Sequence, residues 1–414
     1  MRVYSEAAME KAMTRQEVIL RAYAKKISWI QAAEILGISA RHLRRIKEAY
    51  ERGGFHALFD GRVGKASPRR VPIATVEEVL RLYREEYFDF NVLHFHEKLV
   101  EKHLIEVSYT WTKCLLQGAG LVAKERSCKR HHKRRARRPL TGMLLHIDGS
   151  EHQWFGDQRW FDLLVILDDA SSEIYYAQLV EAEATRPVMV AIRAVVEKQG
   201  IFCALYSDRA SHFFVTPKAG EAVDKQALTQ VGRALRELGI QLIPAYSPQA
   251  RGRSERSFRT WQGRLPQELR IRRIETLEAA NEFLQSEYIG EFNRRFTVQP
   301  AEAGTAFIPC LRTDLDRVFS IQTERIVNRD NTVKFKNRWL QIEKQAWRGS
   351  MAGCRVIVYQ HFDETLSLGF GGHTLGRYNI DGQPLKTEKT KTANKKQRAV
   401  LAVHSNQQTG HLMC

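Results

Sequence analysis

Two short apolar runs, each closed by an acid, limit what this chain can fold into more than any other feature. Leu144-Leu145-His146-Ile147-Asp148-Gly149-Ser150 is the first, and Ala204-Leu205-Tyr206-Ser207-Asp208-Arg209 is the second. A buried strand reads this way when it delivers a carboxylate to its exposed end. A third stretch, Tyr246-Ser247-Pro248-Gln249-Ala250-Arg251-Gly252-Arg253-Ser254-Glu255-Arg256, is a Pro/Gly loop that passes into a helical pattern carrying a glutamate on its first turns. Two strand-end aspartates and one helix glutamate make a donor set suited to a pair of hard divalent cations.

The pattern around these stretches alternates in a legible order. Met143–Asp148, Trp160–Leu167 and Ile174–Leu179 read as three strands, with a turn at Asp168-Asp169-Ala170-Ser171. Thr185 is expected to cap a helix over Val188–Gln199. Phe202–Tyr206 follows as a fourth strand, Gln226–Leu238 as a second helix and Ile240–Ile243 as a fifth strand, and a long helix starts near Arg253. Three strands in antiparallel sequence and then helix–strand–helix–strand–helix is the order of a ribonuclease-H-like α/β core.

The N-terminal part reads as helical. Thr14 is expected to cap a helix through Val18, Ile19, Ala22 and Tyr23. Trp29 to Leu36, a turn at Gly37, and a second helix opened by Ser39 then give the pattern of a helix-turn-helix. Leu43 and Ile46 would face inward, leaving Arg41, His42, Arg44, Arg45 and Lys47 for a DNA major groove; the alternative is a helical hairpin with a solvated basic face. A second helical unit spans about 68–123, with Thr75 as a cap, an amphipathic segment from His94 to Leu104, and a helix opened by Ser108. It is either a second DNA-binding unit of winged type or a structural element. Lys124 to Arg138 then packs nine basic residues into fifteen, including Lys129, Arg130, Lys133, Arg134 and Arg135. Like charges this close repel until a phosphate backbone neutralises them, so the segment is expected to tether DNA. The whole chain agrees in sign: 65 Lys and Arg against 47 Asp and Glu give a net charge of +18.

The acidic stretches, the β-β-β-α-β-α-β-α order and the run Ser247-Pro248-Gln249-x-x-Gly252-x-x-Glu255 closely resemble the integrase-like DDE transposases of bacterial insertion sequences. The helical N-terminus in two parts and the long spacing from Asp208 to Glu255 are most similar to the ISNCY group. The resemblance covers about residues 14 to 380, and the Ser-Pro-Gln run is its specific part. It implies that Asp148, Asp208 and Glu255 are a catalytic triad holding two Mg²⁺ ions, with Mn²⁺ as a substitute, which cuts and joins DNA strands at element ends and target. It also implies at least a homodimer on DNA, since two ends must be brought together, and a cytoplasmic, nucleoid-associated protein. The Asp208–Glu255 spacing exceeds that of retroviral integrases, the extra residues lying between Phe213 and Lys225; if they disturb the strand register, Glu255 is the member affected.

On this reading the domains are a helix-turn-helix unit at 1–62, the second helical unit at 68–123, a basic linker at 124–139, the catalytic core at 140–305, a small C-terminal β-barrel at 318–380 and a basic tail at 381–414. Arg251, Arg259 and Gln262, at −4, +4 and +7 from Glu255, share one helix face and are candidate DNA contacts, or a solvated stripe. Asp168 and Asp169 are read as turn residues, Asp162 as facing away from Asp148, and Glu151, His152 and Trp154 as neighbours of the site. Two rivals stand beside a strand-joining enzyme: a regulator with a decayed core, and a nuclease that hydrolyses without joining. Six scattered cysteines without a C-x-x-C pair argue against a disulfide scaffold or zinc ribbon. There is no apolar leader at the N-terminus and no apolar run long enough to span a membrane.

Overall fold

A computed structural model describes residues 4–60, 70–124, 135–215, 227–246 and 248–385. Within this, the chain divides into two compact units, residues 1–82 and 83–414.

The first unit is built on three helices, α1 (Glu6–Tyr23), α2 (Trp29–Ile35) and α3 (Ala40–Gly53). Ser28 and Gln31 cap α2 reciprocally, and Ser39 caps α3 by accepting from the His42 amide. The expected start at Thr14 is corrected: α1 begins at Glu6 with Ser5 as its cap, and Thr14 sits mid-helix with Oγ1 donating to the Glu10 carbonyl, 2.9 Å. Val18, Ile19, Ala22, Ala32, Ala33, Leu43 and Ile46 form the core where the helices cross, the two alanines allowing close approach.

The second unit takes in the last residues of α4 (Ile73–Glu85) and continues with α5 (Val92–Glu101) and α6 (Tyr109–Gly118), capped by Asn91 and Ser108. The helix α4 starts ahead of Thr75, which therefore lies in its first turn and is not its cap. Among the described residues between 70 and 124 there are helices and no strands.

The sheet follows: β1 (Leu145–His152), β2 (Phe161–Asp168), β3 (Ile174–Val180), α7 (Thr185–Gln199), β4 (Ala204–Ser207), α8 (Gln230–Glu237), β5 (Gln241–Pro244) and α9 (Pro248–Gln262). Its strand order is β3-β2-β1-β4-β5, with β1, β2 and β3 antiparallel and β4 and β5 parallel to β1. This is the ribonuclease-H-like core that the alternation predicts. One cap differs: Thr185 is the first residue of α7, after Ala184, and makes no capping bond.

Strand alternation sends the two faces of the sheet to different cores. Leu145, Ile147, Leu164 and Ile166 pack under α7 and α8 with Val188, Ile192, Val231 and Leu235. Leu163, Val165 and Leu167 pack under α9 with Phe258 and Trp261, joined by α10 (Leu265–Arg272), α11 (Leu277–Phe283) and α12 (Ile289–Phe296). Each such fully buried aliphatic side chain contributes roughly 1.5–3 kcal/mol. A π-turn at Leu284–Tyr288 links α11 to α12 and brings Phe292 into a stack on Trp261, 4.4 Å between ring centres.

The C-terminal region is all β, as its alternation predicts: β6 (Ile321–Ile326), β7 (Thr332–Phe335), β8 (Arg338–Gln341), β9 (Arg355–Gln360), β10 (Leu366–Phe370) and β11 (His373–Tyr378). A turn at Asp330-Asn331 precedes β7, and the strands on either side of it enter different sheets. The strand β6 pairs β9 in a four-stranded sheet, whereas β7 pairs β8 in a hairpin. Val333, Leu340, Val356, Leu368 and Tyr378 from both sheets share one core, and among the described residues no ladder joins the two sheets into a closed barrel.

Candidate active site

Asp148 lies mid-way along β1 and is 6% exposed. Its neighbours fix which face it shares. His146 Nε2 donates to Asp169 Oδ1 at 2.8 Å, and the same oxygen accepts from Arg253 of α9. At the other end of the strand, Gln262 Nε2 of α9 donates to Ser150 Oγ, 2.9 Å. His146, Asp148 and Ser150 alternate on one side of β1, so Asp148 belongs to the α9 face.

Asp208 directly follows β4. The parallel ladder matches Leu145 with Leu205 and His146 with Tyr206. The same step carried two residues on sets Asp148 level with Asp208, on strands about 4.8 Å apart. Asp208 also shapes its own turn, because Oδ1 accepts from the Ala210 amide at 3.0 Å.

The helix α9 runs alongside β1 in the same direction. Arg253 and Gln262 are nine residues apart, about 13.5 Å of helix, and the β1 positions they mark, His146 and Ser150, are about 13 Å apart along the strand. Glu255 therefore stands within about one helical turn of the level of Asp148, and shares the side of α9 that carries Gln262. Its side chain is exposed, and among the described residues no group of three or more His, Cys, Asp or Glu is close enough to hold a metal ion. Carboxylate oxygens are the donors that Mg²⁺ and Mn²⁺ prefer. The two aspartates fit such an ion by register, while the third carboxylate waits at the rim.

Other expected site residues are placed as follows. Arg259 is exposed on α9, whereas Gln262 is turned inward to Ser150. The side chain of Arg251, and Lys129, Arg130, Lys133 and Arg134, lie outside what is described, as does Cys128. Arg135 is tied to Asp169 at 2.5 Å. In the first unit Arg41, His42, Arg44 and Arg45 are exposed on α3. Lys47 instead lies over the Trp29 ring at 4.7 Å and pairs with Glu51 at 3.6 Å.

Of the rival acids, Asp168 serves the turn. Its carboxylate accepts from the Ala170 and Ser171 amides and from Gly142, and burial pushes it up against those bonds. Asp169 does more than the sequence suggests. It is 1% exposed and accepts from Arg135, His146, Arg253 and the Arg138 amide. Burial would raise its carboxyl, but the His146 and Arg138 bonds and the nearby charges hold it far below the carboxylate range. Burial lowers the His146 imidazole, which is neutral; its Nδ1 has no partner, as suits an Nε2–H tautomer.

Asp162 does face away from Asp148. It pairs across from Glu151, and its Oδ2 accepts from the Glu183 amide at 2.8 Å. Trp154 is a core residue whose indole donates to the Phe161 carbonyl, with His152 against its edge. A contact absent from the sequence reading sits beside Asp148: Glu183 bonds His212 at 3.0 Å, and a Cβ on Gly149 would collide with the Glu183 carboxylate.

A family described as a helix-turn-helix domain matches residues 14–68. The chain is 31% identical over 400 residues to y4bF of Sinorhizobium fredii, a protein assigned as a transposase, spanning 96% of this chain and 87% of that one. It is 28% identical over 391 residues to the transposase for insertion sequence IS1202 of Streptococcus pneumoniae, spanning 86% of this chain and 83% of the relative. Among solved structures, the catalytic core of HTLV-2 integrase in complex with magnesium is similar at 15% identity and a TM-score of 0.26, over 35% of this chain and 85% of that one. The simian T-cell lymphotropic virus intasome is similar at 11% identity and a TM-score of 0.31, over 70% of this chain and 95% of that one.

Proposed function

We propose that this chain, which belongs to the transposases of bacterial insertion sequences, is a DDE enzyme that cleaves DNA at element ends and joins the freed 3′-hydroxyl to target DNA. The observation that carries the reading is the register of β1 and β4, which sets Asp148 level with Asp208 while α9 brings Glu255 along the same face. Asp148, Asp208 and Glu255 would hold two Mg²⁺ or Mn²⁺ ions. When bound, such ions supply Lewis-acid stabilisation of the attacking and leaving oxygens of a phosphodiester.

The chain's own residues do the rest. Asp148, mostly buried, gives a fixed ligand, and Asp208 a second one on a short turn. Glu255, exposed, closes the set from α9. Arg259, exposed on the same helix, would contact backbone phosphate, and Arg41, His42, Arg44 and Arg45 would present a basic face to duplex DNA. Lys47 is a weaker candidate, being held by Trp29 and Glu51. The parse into units at 1–62, 68–123, 124–139, 140–305, 318–380 and 381–414 goes with this reading, as do a dimer or larger assembly on two DNA ends and action in the cytoplasm. Among the described residues no helix is long and apolar enough to cross a membrane.

Joining separates this reading from its rivals. Given a duplex with a pre-cut 3′-hydroxyl end and a plasmid, the protein should yield covalently joined product in Mg²⁺ or Mn²⁺. Cleavage without joining would favour a hydrolysing nuclease, and tight binding with neither would favour a regulator.

Further outcomes are expected. Arg44→Ala and Arg45→Ala should each weaken binding to end DNA and lower the slope of log affinity against log salt by about 1. Lys47→Ala should instead cost stability, by about 1 kcal/mol, through its lost cation–π contact; filter binding over a salt series and thermal melts check both. Gly149→Ala should shift Glu183 off His212 at a stability cost below about 1 kcal/mol, because the colliding group is the end of a flexible side chain. Cleavage should nevertheless fall about tenfold, since His212 anchors the segment that follows Asp208.

A further inference from the structure

We infer that Asp169 is a positioning residue: one buried carboxylate that sets where the Glu255 helix and the last arginines of the basic segment lie against the strand of Asp148. The inference rests on the reading of the triad given above and adds a residue whose place in the sequence points only to a turn. The turn's own needs are met by Asp168, which takes the Ala170 and Ser171 amides. None of the partners of the Asp169 carboxylate belongs to that turn.

Each partner comes from an element of the site. His146, at 2.8 Å, is two residues before Asp148 on β1. Arg253 is two residues before Glu255 on α9. Arg135, at 2.5 Å, and the Arg138 amide, at 2.9 Å, belong to the basic segment. The tie is closed on itself, since Arg253 Nη2 also donates to the Arg135 carbonyl at 2.9 Å and Arg137 donates to the Asp169 carbonyl at 3.0 Å. Bonds between guanidinium and carboxylate are the strong, directional kind.

Their location on α9 decides what they control. The later half of that helix is held by its buried Phe258 and Trp261 and by the Gln262 bond to Ser150. Glu255 precedes Phe258, in the half whose edge is fixed by Arg253. With Asp169 neutral, the first turns of α9 lose their charged anchor while the later turns keep theirs. Asp169, buried at 1% exposure, thus acts on the third carboxylate through Arg253.

Hydrogen exchange on the full chain, without DNA or metal, reads this directly. In Asp169→Asn and in Arg253→Gln, the amides of about 252–257 should exchange roughly tenfold faster, and the double variant no faster than either single one. Amides 163–166 and 189–196 should keep wild-type protection. Unchanged exchange in α9, or an increase spread evenly over the sheet, would overturn the inference. Mn²⁺-dependent nicking is measured beside it in wild type, Asp169→Asn and Asp148→Asn. Asp169→Asn should lower kcat about tenfold with the KM for DNA within about twofold, and should raise the Mn²⁺ concentration for half-maximal rate. Wild-type kinetics despite a loosened α9 would also overturn it. If Asp148→Asn nicks as well as wild type, it is the reading of the triad that fails, and the exchange data alone decide whether Asp169 holds α9.

Discussion

Asp148→Asn should abolish metal-dependent nicking and joining, by roughly a thousandfold or more, since a metal ion contributes several kcal/mol to such a transition state. DNA binding should persist, because the exposed arginines of α3 and α9 are untouched. Folding should persist as well. Asn fills the same space among His146, Ser150 and Val165. The melting temperature without metal should therefore change little, and added Mn²⁺ should shift it less than in wild type. Asp208→Asn should behave alike. Glu255→Gln should lose activity with almost no change in the metal-free melt, its side chain being exposed. Equal nicking in wild type and Asp148→Asn would remove the site from β1 altogether.

Much of this arrangement is legible in the chain because local periodicity and global packing agree there. The run Leu163–Leu167 is apolar on both alternating faces, as a strand covered by helices on each side must be, while the runs through Leu145 and Ala204 turn polar as they approach Asp148 and Asp208. The features that escape are those whose partners are remote in sequence. Asp169 looks like a turn residue because Arg253, 84 positions away, is invisible from the turn. Gln262 sits on the helix side that carries Glu255, yet it is spent on Ser150, 112 positions earlier. Lys47 is held differently from what its basic neighbours suggest, and for this a signal was present. It lies four residues after Leu43, on the inward side of α3, where a long side chain covers neighbouring rings before it reaches DNA. Thr14 is a cap by composition, but the residues before it continue the helix, so its hydroxyl bonds back to Glu10. The strand β11 is hard to read in the sequence, because His373–Tyr378 contains glycine and lacks a clean alternation.

The largest effect on stability is expected from Glu268→Ala. Glu268, on α10, is 1% exposed and is bound by three groups: His94 Nε2 and Lys98 Nζ of α5, each at 2.6 Å, and Arg272 of its own helix. Truncation leaves the Lys98 ammonium and the Arg272 guanidinium facing a vacated site, and the His94 N–H without an acceptor. Breaking a buried pair from one side costs about 3–5 kcal/mol. The urea midpoint should drop accordingly, with α5 released first, because Asn91 to the Gly263 carbonyl and Arg264 to Glu97 are the neighbouring ties of the same seam. The cluster also dictates a pH dependence. Burial outweighs the carboxylate beside it and lowers the His94 imidazole below its ordinary 6.5; its Nδ1 has no partner, so a second buried proton would go unbonded. As pH falls below 6.5, the unfolded chain takes up a proton that the native one refuses, and stability declines. Burial alone would raise Glu268, but the bonds from His94 and Lys98 and the Lys98 charge hold it far below its ordinary 4.5. Below 4.5 the unfolded carboxyl is protonated and the native one is not, so a second decline adds to the first. Stability should thus be full above pH 6.5 and fall continuously toward pH 4. Glu268→Gln should be less stable at neutral pH and flatter below pH 4.5. A variant whose urea midpoint falls as steeply there as wild type would show that the acid sensitivity belongs to other carboxylates.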